Sequence, residues 1–197
     1  MRHRPCLVFA RIVISDTVVG AMPSSAGTVM STSTTSIRRA RPTDADRLSD
    51  VFDETWREAY RGLIPGVSLE RMIARRSAQW WLGAAQRRRP LVVVETGEGV
   101  VGYAVYGPAR SRGLGTEGEI DELYIRPEHQ GLGLGRRLFR AVRNDMHDHG
   151  LHTVGVWALE GNDRAETFYL GLGATVAGRG SDSIAGSVLP KVGYRFA

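Results

Sequence analysis

Glycine stands at 131, 133 and 135 within Gln130-Gly131-Leu132-Gly133-Leu134-Gly135-Arg136-Arg137. Alternating glycines let backbone N–H groups converge on one point without side-chain interference. A strand-like run precedes them and an apolar pattern of helical period follows. A helix N-terminus adds about half a positive charge at the same place, and Arg136 and Arg137 supply whole charges. The ligand this chemistry suits is a phosphate or pyrophosphate. The alternative is a glycine-rich turn that only reverses the chain. Spacing narrows the ligand: a dinucleotide fingerprint needs its third glycine at 136, which is arginine. The phosphate loop of nucleotide hydrolases needs a Lys-Ser/Thr pair that the stretch does not have.

Other reactive residues offer less. His147, His149 and His152 sit near a helix end beside Asp145 and Asp148, at a spacing that fits no standard metal signature, so a solvated helix end is expected and no metal. Cys6 is the single cysteine. It excludes an internal disulfide framework and a cysteine zinc cluster, and it is a poor acyl-carrying nucleophile. No Gly-x-Ser-x-Gly turn exists. One cysteine fits a reducing, cytoplasmic setting.

Charge is unevenly placed. Residues 1–41 hold six Arg and one Asp, and the remainder is balanced, so the net +5 belongs to the start of the chain. Nucleic acid is therefore not expected as the primary ligand. The Arg87-Arg88-Arg89 run is expected to be a solvated face. No apolar run approaches the roughly 20 residues of a membrane helix, so no membrane partner is expected.

The elements that must position the glycine turn can be read from periodicity. Residues 1–35 are Ser/Thr-rich toward their end and are expected to be a disordered extension, with a cleaved leader as the lesser alternative. One domain follows over 36–197. SIRRA reads as a first strand. Thr43 and Asp46 suggest a cap for a helix over about 43–60, with Leu48, Val51, Phe52, Thr55 and Ala59 on one face. Arg61–Gly66 breaks it, and a second helix is predicted over about 68–88. Strands are predicted at 91–95, 100–107, 119–126 and 152–159, then two more at the end. A helix over about 133–148 buries Leu134, Leu138, Val142 and Met146, and a short one covers about 163–171.

Gln130-x-x-Gly133-x-Gly135, preceded by Leu123-Tyr124-Ile125-x-Pro127, resembles the acetyl-CoA motif of the GNAT N-acetyltransferase superfamily. Asn162 through Ala174 resembles its second cofactor segment, and Thr55–Pro65 resembles the helix-turn-helix that members place over the acceptor site. The resemblance covers about 36–197. It implies a three-layer α+β fold. The central sheet would be mixed, mostly antiparallel and twisted, with six to seven strands and about four helices, splayed between the fourth and fifth strands. It implies acetyl-CoA as co-substrate and a small-molecule or peptide amine as acceptor, in a monomer or homodimer.

The same resemblance implies site residues. Leu123, Tyr124 and Ile125 would pair with the pantetheine. Gln130, Gly131, Leu132, Gly133, Leu134, Gly135 and Arg136 would surround the pyrophosphate, and Asn162 would contact the cofactor while capping a helix. Tyr169 would be the general acid. Glu119 would be the general base, with Glu122 as runner-up and Asp121 as a weaker third. Alternation puts 119 and 122 on opposite faces unless a bulge intervenes. Another branch of the family carries its base five residues before the asparagine, where this chain has Trp157. Trp56 and Tyr60 wall the acceptor site or pack in the core. Direct attack in a ternary complex is the expected mechanism, and a non-catalytic acyl-CoA sensor is the alternative.

Overall fold

The computed structural model describes residues 35–85, 89–184 and 186–197. The expected disordered extension lies outside them except for its last residue, as do Arg87 and Arg88. Seven strands form one sheet: β1 (Ser36–Arg39), β2 (Leu91–Thr96), β3 (Gly99–Pro108), β4 (Gly118–Ile125), β5 (Val154–Leu159), β6 (Thr175–Ile184) and β7 (Ser187–Phe196). Their spatial order is β1-β2-β3-β4-β5-β7-β6. Every neighbouring pair is antiparallel except β4 and β5. That parallel pair is in register only over Gly118–Ile120 against Val154–Val156, and beyond it the strands part.

Helices cover both faces. Helices α1 (Ala45–Tyr60), α2 (Gly66–Ala74) and α3 (Ala78–Ala85) pack on one, and α4 (Leu134–Asp148) and α5 (Asp163–Gly171) on the other. The periodicity explains the packing. Leu48, Val51, Phe52 and Thr55 on α1 are at most 1% exposed, and Leu134, Leu138, Val142 and Met146 on α4 are likewise buried. Each such apolar side chain contributes about 1.5–3 kcal/mol of transfer free energy. The result is the expected three-layer α+β architecture.

Two helical boundaries differ from expectation. The predicted 68–88 helix is two helices, making five α-helices among the described residues. The break at Arg75–Ser77 turns Arg76 inward, where its guanidinium lies 3.9 Å from the centre of the Trp80 ring and donates to Glu122 at 2.9 Å. Periodicity cannot show this, because both halves keep a helical pattern. Helix α1 starts at Ala45 after a single turn, Pro42–Asp44, so Thr43 is not its cap. Asp44 holds that turn instead: Oδ2 accepts from the Arg41 N–H at 2.7 Å, and both oxygens accept from Arg38 at 2.7 and 2.9 Å. Arg38 also grips Glu95 at 2.8 and 3.0 Å, tying β1, β2 and the start of α1 together.

The Arg38 bonds hold the Asp44 carboxyl below its ordinary value of 3.8. Its stabilisation is therefore full above that value and fades as pH falls through the lowered one. Asp44→Ala is expected to cost about 1.5–3 kcal/mol in urea denaturation at neutral pH, and the gap to wild type should narrow below about pH 4.

Candidate functional site

The parting of β4 and β5 sets the site. Past Ile120, the edge of β4 that faces β5 has no ladder partner there, although all of β4 is buried. The glycine turn closes the far end. Gly131 and Gly133 have φ of 74° and 75°, where a side chain is strained. The first bond of α4 runs from the Arg137 N–H to Gly133 O. The preceding N–H groups of 134–136 are thus left at the helix mouth. Gln130 donates from Nε2 to Ile125 O at 2.9 Å, pinning the turn to the end of β4. Arg136 is exposed beside it.

A bulge reorders the strand. Val105 pairs with Glu122 and Tyr106 with Ile120, so Asp121 is the extra residue. Ile120 and Leu123 consequently share the α4/α5 face, and Glu119, Asp121 and Glu122 share the other. The expected opposition of 119 and 122 does not hold, because the bulge flips the alternation. Each carboxylate has its own partners. Glu119 accepts from the N–H groups of Arg110 and Ser111 at 2.9 and 3.1 Å, both on Oε2. Glu122 accepts from Arg76 and from the Tyr103 hydroxyl, the latter at 2.8 Å. Asp121 pairs with Arg89 and, at 3.5 Å, with Arg110. Burial pushes the Asp121 carboxyl up to about 7, against the pull of Arg89 and Arg110.

Arg89 corrects the expectation of a solvated run. Its guanidinium is 16% exposed and donates to Pro108 O and Asp121 Oδ1, both at 2.8 Å. The sequence signal was Pro90, which ends the run directly before a buried strand. Arg76, Arg110 and Trp81 were also missed. Nothing local marks them, because they meet β4 from remote segments.

The loop 109–117 straps this face to the second half of the sheet. Glu119 holds its first residues, and Trp157 Nε1 donates to Ser111 Oγ at 2.9 Å. Leu114 sits in a socket of bare backbone: a Cβ on Gly193 would lie 2.1 Å from its Cδ2, and one on Gly155 2.9 Å from its Cδ1. Glu117 accepts from the N–H groups of His152 and Thr153 at 2.7 and 3.0 Å. Trp157 is therefore a strap anchor, with Lys191 Nζ 4.6 Å from its ring centre.

On the other face, Tyr169 of α5 is fully buried and its hydroxyl has no partner. Burial first, then Tyr194 and Tyr60, hold that hydroxyl well above its ordinary 10, so it stays protonated. Helices α5 and α1 are joined by the Arg164–Glu58 ion pair at 2.5 Å. Asn162 caps α5 by accepting from the Ala165 N–H at 3.3 Å, while its Nδ2 is buried without a partner. Trp56 and Tyr60 are 3% and 0% exposed within the α1 layer, their ring centres 4.6 Å apart. His147 and His152 stack edge to face at a helix end, and no metal-binding group occurs among the described residues. No helix among them is long and apolar enough to cross a membrane.

A gap in a sheet and a glycine turn with open helix N–H groups at its mouth suit an extended, phosphate-bearing thioester, the co-substrate of a CoA-dependent transferase. The profile of the acetyltransferase (GNAT) family matches residues 48–174, and the chain belongs to that family: it is an N-acetyltransferase. It is 28% identical to the uncharacterized N-acetyltransferase YuaI of Bacillus subtilis, over 80% of this chain and 90% of that one. It is 26% identical to the L-amino acid N-acyltransferase MnaT of Escherichia coli, over 82% and 86%. Its fold matches the PaiA N-acetyltransferase of Thermoplasma acidophilum in complex with coenzyme A. That match has a TM-score of 0.66 and 19% identity, over 83% of this chain and 99% of that one.

If the turn meets the CoA pyrophosphate through backbone, Gly133→Ala should weaken CoA binding in calorimetry by about fivefold or more. The left-handed conformation alone costs an alanine about 1–2 kcal/mol, so urea denaturation should register a loss of that size as well.

Proposed function

We propose that the chain acetylates a small-molecule primary amine by direct attack in a ternary complex. The observation that carries this reading is the buried, protonated and unpartnered Tyr169 hydroxyl where the sheet opens. Acetyl-CoA supplies the activated acetyl group. The glycine turn and Arg136 take the pyrophosphate, Leu123, Tyr124 and Ile125 offer the open strand edge to the pantetheine, and Asn162 Nδ2 gives a further donor. A backbone N–H near the end of β4 steadies the thioester oxygen as charge develops there.

The acceptor approaches on the carboxylate face, which Trp56 and Tyr60 back from beneath. Its nitrogen bonds to the acetyl carbon as the carbon–sulfur bond breaks. An alkyl amine has a pKa of about 10.4, so a base must take its proton. Glu119 does so through water: both strap bonds fall on Oε2, which leaves Oε1 for this task. Tyr169 returns a proton to the departing sulfur. MnaT is named for amino-acid acceptors, which supports a small amine here. The elevated Asp121 carboxyl favours a second reading, with Asp121 as the base.

Tyr169→Phe should lower kcat by about 10- to 100-fold, with acetyl-CoA affinity within about twofold of wild type. Unchanged turnover at every pH would sink the acid assignment. Glu119→Gln keeps an oxygen for the strap and should lower kcat by about 10²- to 10⁴-fold. An acid limb near pH 7 that disappears in Asp121→Asn and survives in Glu119→Gln would move the base to Asp121.

A further inference from the structure

We propose that the cavity between α3 and strands β2–β4 binds an acid group of the acceptor, so that the acceptor is a zwitterion of the α-amino acid type; this rests on the transferase reading above. The cavity has a volume of about 380 Å³ and is lined by Arg76, Trp80, Trp81, Leu91, Asp121 and Glu122, among others. Its charged side has donors to spare. Arg76 uses Nη2 for Glu122, and its Nη1 is buried with no acceptor. Trp81 is fully buried, and its Nε1 also has no acceptor. Two buried donors without acceptors are costly unless something accepts from them. A carboxylate does so and matches the guanidinium fork.

The fork is already set. Trp80 lies against one side of it at 3.9 Å, and the Phe52 ring centre is 5.0 Å away. A held guanidinium loses little further freedom on binding an anion. Arg89 and Arg110 line the same cavity beside Asp121 and Glu122, so its described lining sets three guanidinium groups against two carboxylates and favours an anion. Glu119 shares this face of β4, so an acid group held here leaves the amine of the same molecule toward the proposed base. Leu91 and the two tryptophans give the remaining wall an apolar character. The larger cavity beside the α1–α2 turn, about 610 Å³, has no buried side-chain donor without an acceptor in its described lining.

The test uses a panel of L-amino acids and their α-amides, with release of free thiol from acetyl-CoA as the rate assay. Arg76→Lys keeps a charge for Glu122 but loses the fork, and Trp81→Phe removes one N–H while keeping the ring. Wild type should bind and acetylate at least one amino acid. For the preferred one, kcat/KM should fall about 10- to 100-fold in Arg76→Lys and about 2- to 10-fold in Trp81→Phe, mostly through KM. The matching amide should change by less than about twofold, and comparing each variant with wild type cancels the different basicities of the two amines. Equal losses for acid and amide would overturn the proposal, as would a wild type that favours no acid over its amide. Calorimetry separates the two layers. Amino-acid binding that needs Arg76, in a protein that binds no acetyl-CoA, keeps the acid site and defeats the transferase reading. Acetyl-CoA turnover on amines with no acid dependence does the reverse.

Discussion

Strands β4 and β5 share three residue pairs and then separate, and the rest of the molecule is arranged around that separation. Buried backbone groups must be paired, yet the edge of β4 toward β5 runs on past Ile120 through the interior. Near its end the Ile125 carbonyl is met locally, by Gln130. An unfilled strand edge inside a protein is a template for an extended ligand. The two halves of the sheet are tied elsewhere: Arg164 of α5 pairs with Glu58 of α1, and the strap crosses to β5 and β7 through Leu114 and Ser111.

The bulge at Asp121 gives that gap a chemical polarity. One extra residue brings three carboxylates to a single face, which would be prohibitive without compensation. Arg76, Arg89 and Arg110 supply it, and each comes from a different segment. On the opposite face, the buried groups without partners are a neutral phenol, Tyr169, and an amide, Asn162. In the proposed mechanism, proton removal and proton return then fall on opposite sides of one opening. This separation suits a reaction in which one group loses a proton and another gains one, because neither side can short-circuit the other.

Much of this was legible in the sequence. The glycine turn, the strand before it, α4 and α5 follow from local periodicity and turn chemistry, and each occupies one continuous stretch. The donor side was therefore readable, down to Asn162 as a cap. The single 68–88 helix was not, because its interruption is stabilised by Glu122 and Trp80 rather than by any breaker. The bulge is equally silent: its cause is register against β3, which no one-strand pattern contains. Glu119 was singled out by its place on the strand, but its bonds to the strap were not, since Arg110 and Ser111 are loop residues of no special type.

That contrast has a physical origin. A pyrophosphate is bound largely by backbone and a helix mouth, so its site must be contiguous and its signature short. An acceptor is bound by side chains, and these can come from anywhere the fold brings together. Arg76 reaches Glu122 across 46 positions, and Arg89 reaches Asp121 across 32. Changing one such residue alters the acceptor wall without touching the turn, the gap or Tyr169. On the proposed reading, the architecture uncouples the choice of acceptor from the handling of the thioester and assigns the specificity of this chain to the layer formed by α3, the strap and the bulged face of β4.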